Sequence, residues 1–246
     1  MAAHGLIGRD HELRVLGELI DQAAGNGAAI VVVGDPGVGK SSLLQAAAEH
    51  GRAAGHLVLA TTGVEAEAHL PFAGLHQLLR PLLRDVDQLP ATQREALSTA
   101  FGASEGPAPE PFMIALATLN LLADAAAEHP VLMVVDDVQW LDTPSQDALT
   151  FLARRVTGDP VVMIGIVRRG HDVTLAAAGL PELDLRPLDE ASARDVLARH
   201  AADLSYADQE RILREAEGNP WPWSSCRRPS ARRPAPGSSP SRRCCR

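Results

Sequence analysis

Two stretches of this chain carry residue types at spacings suited to phosphate chemistry, GDPGVGKS at 34–41 and VLMVVDD at 131–137. The first fits G-x-x-x-x-G-K-[ST], the P-loop pattern. It lies between a β-branched apolar run, AAIVVVG, and a stretch with helical periodicity, the context a phosphate-binding loop requires. Gly34, Gly37 and Gly39 let the backbone wrap an anion with its N–H groups turned inward, and the helix that follows adds partial positive charge at its N-terminus. Lys40 supplies a mobile point charge for β and γ phosphates, and the Ser41 hydroxyl is suited to ligate Mg²⁺. The expected nucleotide-binding set is Gly34, Asp35, Pro36, Gly37, Val38, Gly39, Lys40, Ser41 and Ser42.

The second stretch ends a buried strand in two carboxylates, at the edge where open α/β sheets bind ligands. Asp136 is the expected metal-side residue, holding Mg²⁺ through water together with Ser41. Asp137 either orients an attacking water or caps the strand end. Arg168, which closes the apolar run VVMIGIV, reaches the same sheet edge and is expected either to sense a γ phosphate or to lie solvated in a loop. Lys40, Asp137 and Arg168 are thus the catalytic candidates. Glu65 and Glu67 read as solvated surface, and Trp140 as packing rather than stacking on a base. The nine histidines show no paired metal spacing.

The elements that must position these groups alternate. Short apolar runs at 28–34, 56–62, 131–137 and 160–167 read as strands, with a weaker fifth in LPELDLRPL. Between them DHELRVLGELIDQAAG is expected to be a helix with Asp10 at its N-cap, VGKSSLLQAAAEHG a helix closed by Gly51, and further helices lie within 71–100, 110–129 and 143–156. FGASEGPAPEP reads as a surface loop. The implied class is α/β, a three-layer αβα P-loop NTPase fold with a mainly parallel sheet over residues 1–186. Two helices with no strand between them, DEASARDVLARHAAD and YADQERILREAEG, imply a small helical lid over 187–220.

Composition narrows the function. Residues 1–220 hold all 31 acids, whereas 221–246 hold seven arginines and no acid. An acidic body does not offer the clustered cations that tracking a nucleic-acid backbone demands. Lys40 is the only lysine, which rules out the N-K-x-D element that reads guanine, and no L-S-G-G-Q-like signature is present, so ATP or ADP with Mg²⁺ is the expected cofactor. No run of about 18 apolar residues reads as a membrane span, and MAAHGLIGRD lacks the basic start of a signal peptide, so no membrane partner and a cytoplasmic location are expected. The three cysteines, Cys226, Cys244 and Cys245, suggest neither a disulfide framework nor a metal site.

Four segments, LIGRDHELRVL, GDPGVGKSSLL, LPFAGLHQLLRPLL and VLMVVDDVQWLDTPSQDALTFLARR, followed in order by RPLDEASARDVL and AEGNP, resemble the N-terminal ATPase module of large ATP-binding LuxR-type transcriptional regulators. These belong to the STAND branch of AAA-related P-loop proteins, and the resemblance covers about residues 5–220. It implies a signalling switch and slow ATPase in which ATP or ADP, held between sheet and lid, sets whether the protein is compact or able to self-associate. It also implies that Ile7, Gly8 and Arg9 lie near base and ribose, and that Gly218 and Pro220, in the family's G-x-P element, bring the lid to the adenine side. DNA would be contacted only through a C-terminal helix-turn-helix, which is not among these residues. Two other readings stay open: a stand-alone AAA-type ATPase, and binding of nucleic acid or an anionic surface through the basic tail.

In that family an apolar helix resembling LALLELP follows the GNP element. Here WPWSSCRRP follows, and one coding of it, read one base earlier, gives LALELLPAA. Residues 221–246 are therefore expected to be out-of-frame translation and not to fold, composition alone describing a disordered polybasic tail.

Overall fold

Ala28–Gly34 forms β1, whose side chains alternate between two buried faces: Ala29 and Val31 enter one apolar cluster, Ile30 and Val32 the other. The same alternation runs through β3 (Val131–Asp136) and β4 (Val161–Arg168), with Met133 and Met163 on one side and Leu132 and Ile164 on the other. Strands buried on both faces require cover on both faces, which gives the expected three layers. With β2 (Leu57–Thr62) and β5 (Glu182–Leu185) they make a five-stranded sheet in the order β2-β3-β4-β1-β5, every pairing parallel. The computed structural model describes residues 6–23, 25–200, 205–216 and 218–220.

One face is covered by α1 (Asp10–Asp21) and α2 (Lys40–Ala53) through Leu16, Ile20, Leu43 and Leu44. The other is covered by α3 (Ala73–Leu79), α4 (Ala91–Ala100), α5 (Pro111–Glu128) and α6 (Thr143–Ala153) through residues such as Leu75, Leu97, Ile114, Leu122 and Leu149. Each such fully buried side chain contributes roughly 1.5–3 kcal/mol over leaving it in water. Beyond β5, α7 (Glu190–His200) and α8 (Tyr206–Ala216) pack on each other through Leu188, Ala193 and Leu197 with Ile212 and Leu213, a small core of their own.

Two local expectations change. Asp10 is the first residue of α1 rather than its cap, a position taken by Arg9, and the helix ends at Asp21, not Gly25. Gly51 does not stop α2. It lies inside the helix where a Cβ would come 2.5 Å from Leu132 Cδ2, so glycine is there for close helix-to-strand packing, and the chain turns at Gly55 with φ +86°. By length and composition α5 is apolar enough to cross a membrane, although Thr118, Asn120, Asp124 and Glu128 interrupt its apolar residues, so it is not the continuous apolar run that a span was expected to need. Its inward face is committed to the core, with Ile114, Ala117 and Leu122 fully buried, while Phe112 is exposed. The tail 221–246, and its reading as out-of-frame translation, lies outside the described residues.

Candidate functional site

The loop between β1 and α2 turns through two left-handed glycines, Gly37 at φ +84° and Gly39 at +97°. An L side chain rarely adopts such backbone, which is why glycine stands at both positions. Gly34 has a further reason to be glycine. A Cβ there would sit 2.7 Å from the Leu185 carbonyl oxygen of the neighbouring β5, so the residue is small enough to let two strands close up. Lys40 starts α2, and its buried ammonium donates to the carbonyls of Gly34 at 3.0 Å and Asp35 at 2.8 Å. Burial holds its pKa below the usual lysine range, the nearby Arg168 adding to this and the carboxylates Asp137, Asp136 and Asp35 opposing it.

The ends of β3 and β4 face this loop. Burial raises the Asp136 carboxyl above the ordinary aspartate range; a hydrogen bond from Ser41 and one from the Asp137 backbone N–H, at 2.9 Å, work the other way. Ser41 and Asp136 therefore meet, and a hydroxyl beside a carboxylate is a donor set suited to a hard cation that keeps its waters, as Mg²⁺ does. Asp137 leaves the strand in a left-handed conformation, φ +47°, and its Oδ1 accepts from Gln139 Nε2 at 2.6 Å. Gln139 Oε1 in turn accepts from the backbone N–H of Arg168 at 3.1 Å. Arg168 Nε is buried without a hydrogen-bond partner.

Around these groups lies an open cavity of about 630 Å³. Of the expected residues, Ile7, Arg9, Pro36, Gly37, Val38, Gly39, Lys40, Ser41, Ser42, Asp137, Arg168 and Pro220 line it. Gly8, Gly34, Asp35, Asp136 and Gly218 do not. Asp35 instead turns its carboxylate to Arg169, 3.4 Å away. Gly8 and Gly218 are docking points of the helical segment: both have positive φ, and a Cβ on either would overlap Ser192 or the Leu188 carbonyl respectively. The Leu188 N–H donates to the Gly218 carbonyl at 2.9 Å, closing the Gly218 turn against the segment that leads into α7. Arg9 is 6% exposed and is a brace: it donates to the Val38 and Arg186 carbonyls, each at 2.8 Å, and pairs with Glu12 at 3.1 Å. Glu65 and Glu67 are exposed and outside the cavity, and Trp140 packs edge-on against His171.

Sequence reasoning passed over several residues that the fold brings in. Asn219 Nδ2 donates to the Pro36 carbonyl at 2.8 Å, joining the GNP element to the phosphate loop. Leu188, Val196, Arg199 and His200 line the cavity from the helical side. Asp142, 2% exposed, accepts from the backbone N–H groups of Phe72, Gly74 and Ser145, and so ties the start of α3 to the N-cap of α6. Its signal was in the sequence as D-T-P-S, an N-cap pattern, but its two long-range donors were not.

Comparison with known proteins agrees with this architecture. Residues 5–164 match the family described as AAA ATPase domain. An uncharacterized protein of Rhizobium meliloti (strain 1021) is 28% identical over 223 residues, covering 77% of this chain but only 21% of its own length. Among solved structures, a chain of the HORMA:CdnC:Trip13 complex of E. coli MS115-1 superposes with TM-score 0.55 at 12% identity, over 85% of this chain and 73% of that one. A signal transduction ATPase with numerous domains (STAND) from Pyrococcus horikoshii, carrying a tetratricopeptide repeat sensor, gives 0.52 at 17% identity, over 89% and 29%. The FIGL-1 AAA domain in complex with ADP gives 0.50 at 12% identity, over 87% and 67%.

Proposed function

Given that the chain belongs to the AAA ATPase domain family, we propose that it is an ATP-binding switch module of a LuxR-type transcriptional regulator, Mg²⁺-dependent and a slow ATPase. One observation carries the reading. Lys40, Ser41, Asp137 and Arg168 converge from three different elements on one cavity that is roofed by α7 and Pro220, with Asp136 held by a hydrogen bond from Ser41. A phosphate chain on the loop would meet the backbone N–H groups of Gly37 to Ser42 and the Lys40 ammonium, while Ile7, Leu188, Val196 and Pro220 offer an apolar seat for a base. Lys40 now spends its donors on Gly34 and Asp35 carbonyls, so binding phosphate is an exchange of partners rather than burial of a bare charge.

In this reading Mg²⁺ would be held by Ser41 and, through water, Asp136, where it offsets phosphate charge. Asp137 orients the water, and Arg168 answers the γ phosphate. The helical segment 187–220 acts as the lid, since it contacts the opening motif at Gly8 and the loop at Pro36. ATP in place of ADP shifts how the lid sits and with it the readiness to self-associate. DNA recognition belongs to a C-terminal helix-turn-helix beyond these residues. The larger proportions of the P. horikoshii and R. meliloti proteins support a module within a longer signalling chain. The test is sedimentation of the folded chain with MgATP and with MgADP, alongside phosphate release. The proposal expects binding of both, a shift toward larger species only with ATP, and turnover well below the ~10 s⁻¹ of an ordinary enzyme. Rapid turnover without change of mass would instead favour a stand-alone AAA-type ATPase.

A further inference from the structure

Gln139 has no place in the roles just given, yet its carboxamide is the only described side chain that bridges the ends of β3 and β4, linking Asp137 to the Arg168 backbone. Its orientation is fixed by chemistry. A carboxylate only accepts and a backbone N–H only donates, so Nε2 must face Asp137 and Oε1 must face Arg168. Nε2 lies 2.6 Å from Asp137 Oδ1, within direct hydrogen-bond reach. Around it the backbone is held in an unusual shape. Asp137 is one of two described non-glycine residues with positive φ, and Gly63, at the end of β2, is pressed so closely on Asp137 and Leu141 that no side chain fits there. Strain of this kind persists where neighbouring contacts over-determine it.

The bridge has a consequence for the phosphate end of the cavity. Left alone, the Asp137 carboxylate would face an incoming γ phosphate with full negative charge. Gln139 engages one oxygen and leaves the other free to take a water. The same amide fixes the last backbone N–H of β4, from which the Arg168 side chain extends to the cavity wall with Nε buried and unpartnered. The loop backbone and Lys40, which would hold the phosphates that ADP shares with ATP, make no hydrogen bond with Gln139.

We propose that Gln139 is a positioning residue that locks Asp137 and Arg168 into one unit, so that the preference of the site for ATP over ADP depends on it. This rests on the reading of the cavity as an adenine-nucleotide site. Two variants separate its halves. Gln139→Leu keeps the bulk and removes both hydrogen bonds; Gln139→Glu keeps an acceptor for the Arg168 N–H but sets a second carboxylate against Asp137.

The experiment is calorimetric titration of wild type and both variants, full chain, with MgADP and with a slowly hydrolysed MgATP analogue. ADP affinity should stay within about twofold, which also reports that each variant is folded, while ATP-analogue affinity falls about tenfold in Gln139→Leu, the scale of one or two lost hydrogen bonds, and further in Gln139→Glu. A residue that merely holds the fold would weaken both nucleotides alike. Equal loss for the two nucleotides, or no change in their ratio, overturns the proposal. A folded wild type that binds neither nucleotide overturns the site reading itself, a result distinct from failure of Gln139 alone.

Discussion

Replacing Asp142 by alanine should be among the most damaging single changes outside the cavity. The carboxylate is 2% exposed and accepts three backbone N–H groups, from Phe72 at 2.7 Å, Gly74 at 3.1 Å and Ser145 at 2.9 Å. Alanine leaves those donors without a partner, and a buried unsatisfied N–H costs about 1–3 kcal/mol. The Phe72 donor is only partly buried and can recover a water, so the sum is about 3–6 kcal/mol. Against a total stability of about 5–15 kcal/mol this is a large fraction. At roughly 2–4 °C per kcal/mol for a chain of this size, Tm should drop on the order of 10–20 °C. Ser145→Ala is the internal control. It removes one acceptor, for the Leu75 N–H at 2.9 Å, and should cost about 1–3 kcal/mol. Equilibrium urea unfolding followed by circular dichroism measures both. An Asp142→Ala protein within about 1 kcal/mol of wild type would refute the claim that this carboxylate clamps α3 to α6.

Other perturbations test the site and its supports. Arg9→Met keeps the apolar stem but strands the Val38 and Arg186 carbonyls, and should cost about 2–4 kcal/mol in the same unfolding assay. Gly218→Ala meets both a left-handed backbone and the Leu188 carbonyl, so the lid end must lift; ADP should bind about tenfold more weakly by calorimetry. For pH, burial raises the Asp136 pKa in the folded state, so the folded protein keeps that proton longer than the unfolded chain. Its contribution is complete below the unfolded value and is lost as pH rises through the folded one. In chelator-containing buffer, wild type should therefore lose stability relative to Asp136→Asn as the pH climbs from about 4 toward neutrality, measured by Tm at each pH.

What the sequence disclosed was local. The strand runs, the loop and the two terminal carboxylates are each written within a few residues, and periodicity together with the parallel order of alternating strands and helices placed them on one sheet edge. What it withheld was set by partners far along the chain. Gly34 looks only like a phosphate-loop glycine and Gly51 like a helix stop, yet each is also pressed against a distant neighbour, Leu185 and Leu132 respectively. Gln139 is one polar residue in VQW until β4 supplies the Arg168 N–H, 29 positions later. Arg9 was placed near base and ribose by resemblance, and it does line the cavity, but its guanidinium is spent on carbonyls from the loop and from the end of β5. Asn219 lay between two residues already singled out, and only the folded path brings it to Pro36.

The central claim is that this cavity binds adenine nucleotide through Lys40 and the Ser41–Asp136 pair. The most direct measurement is calorimetric titration of the folded chain with MgATP, MgADP and MgGTP, repeated on Lys40→Ala. The account predicts that both adenine nucleotides bind, that GTP binds weakly or not at all, and that Lys40→Ala loses about 100-fold or more in affinity for ATP while staying folded. A folded wild-type chain that binds no adenine nucleotide, or one whose affinity is indifferent to Lys40, would contradict it.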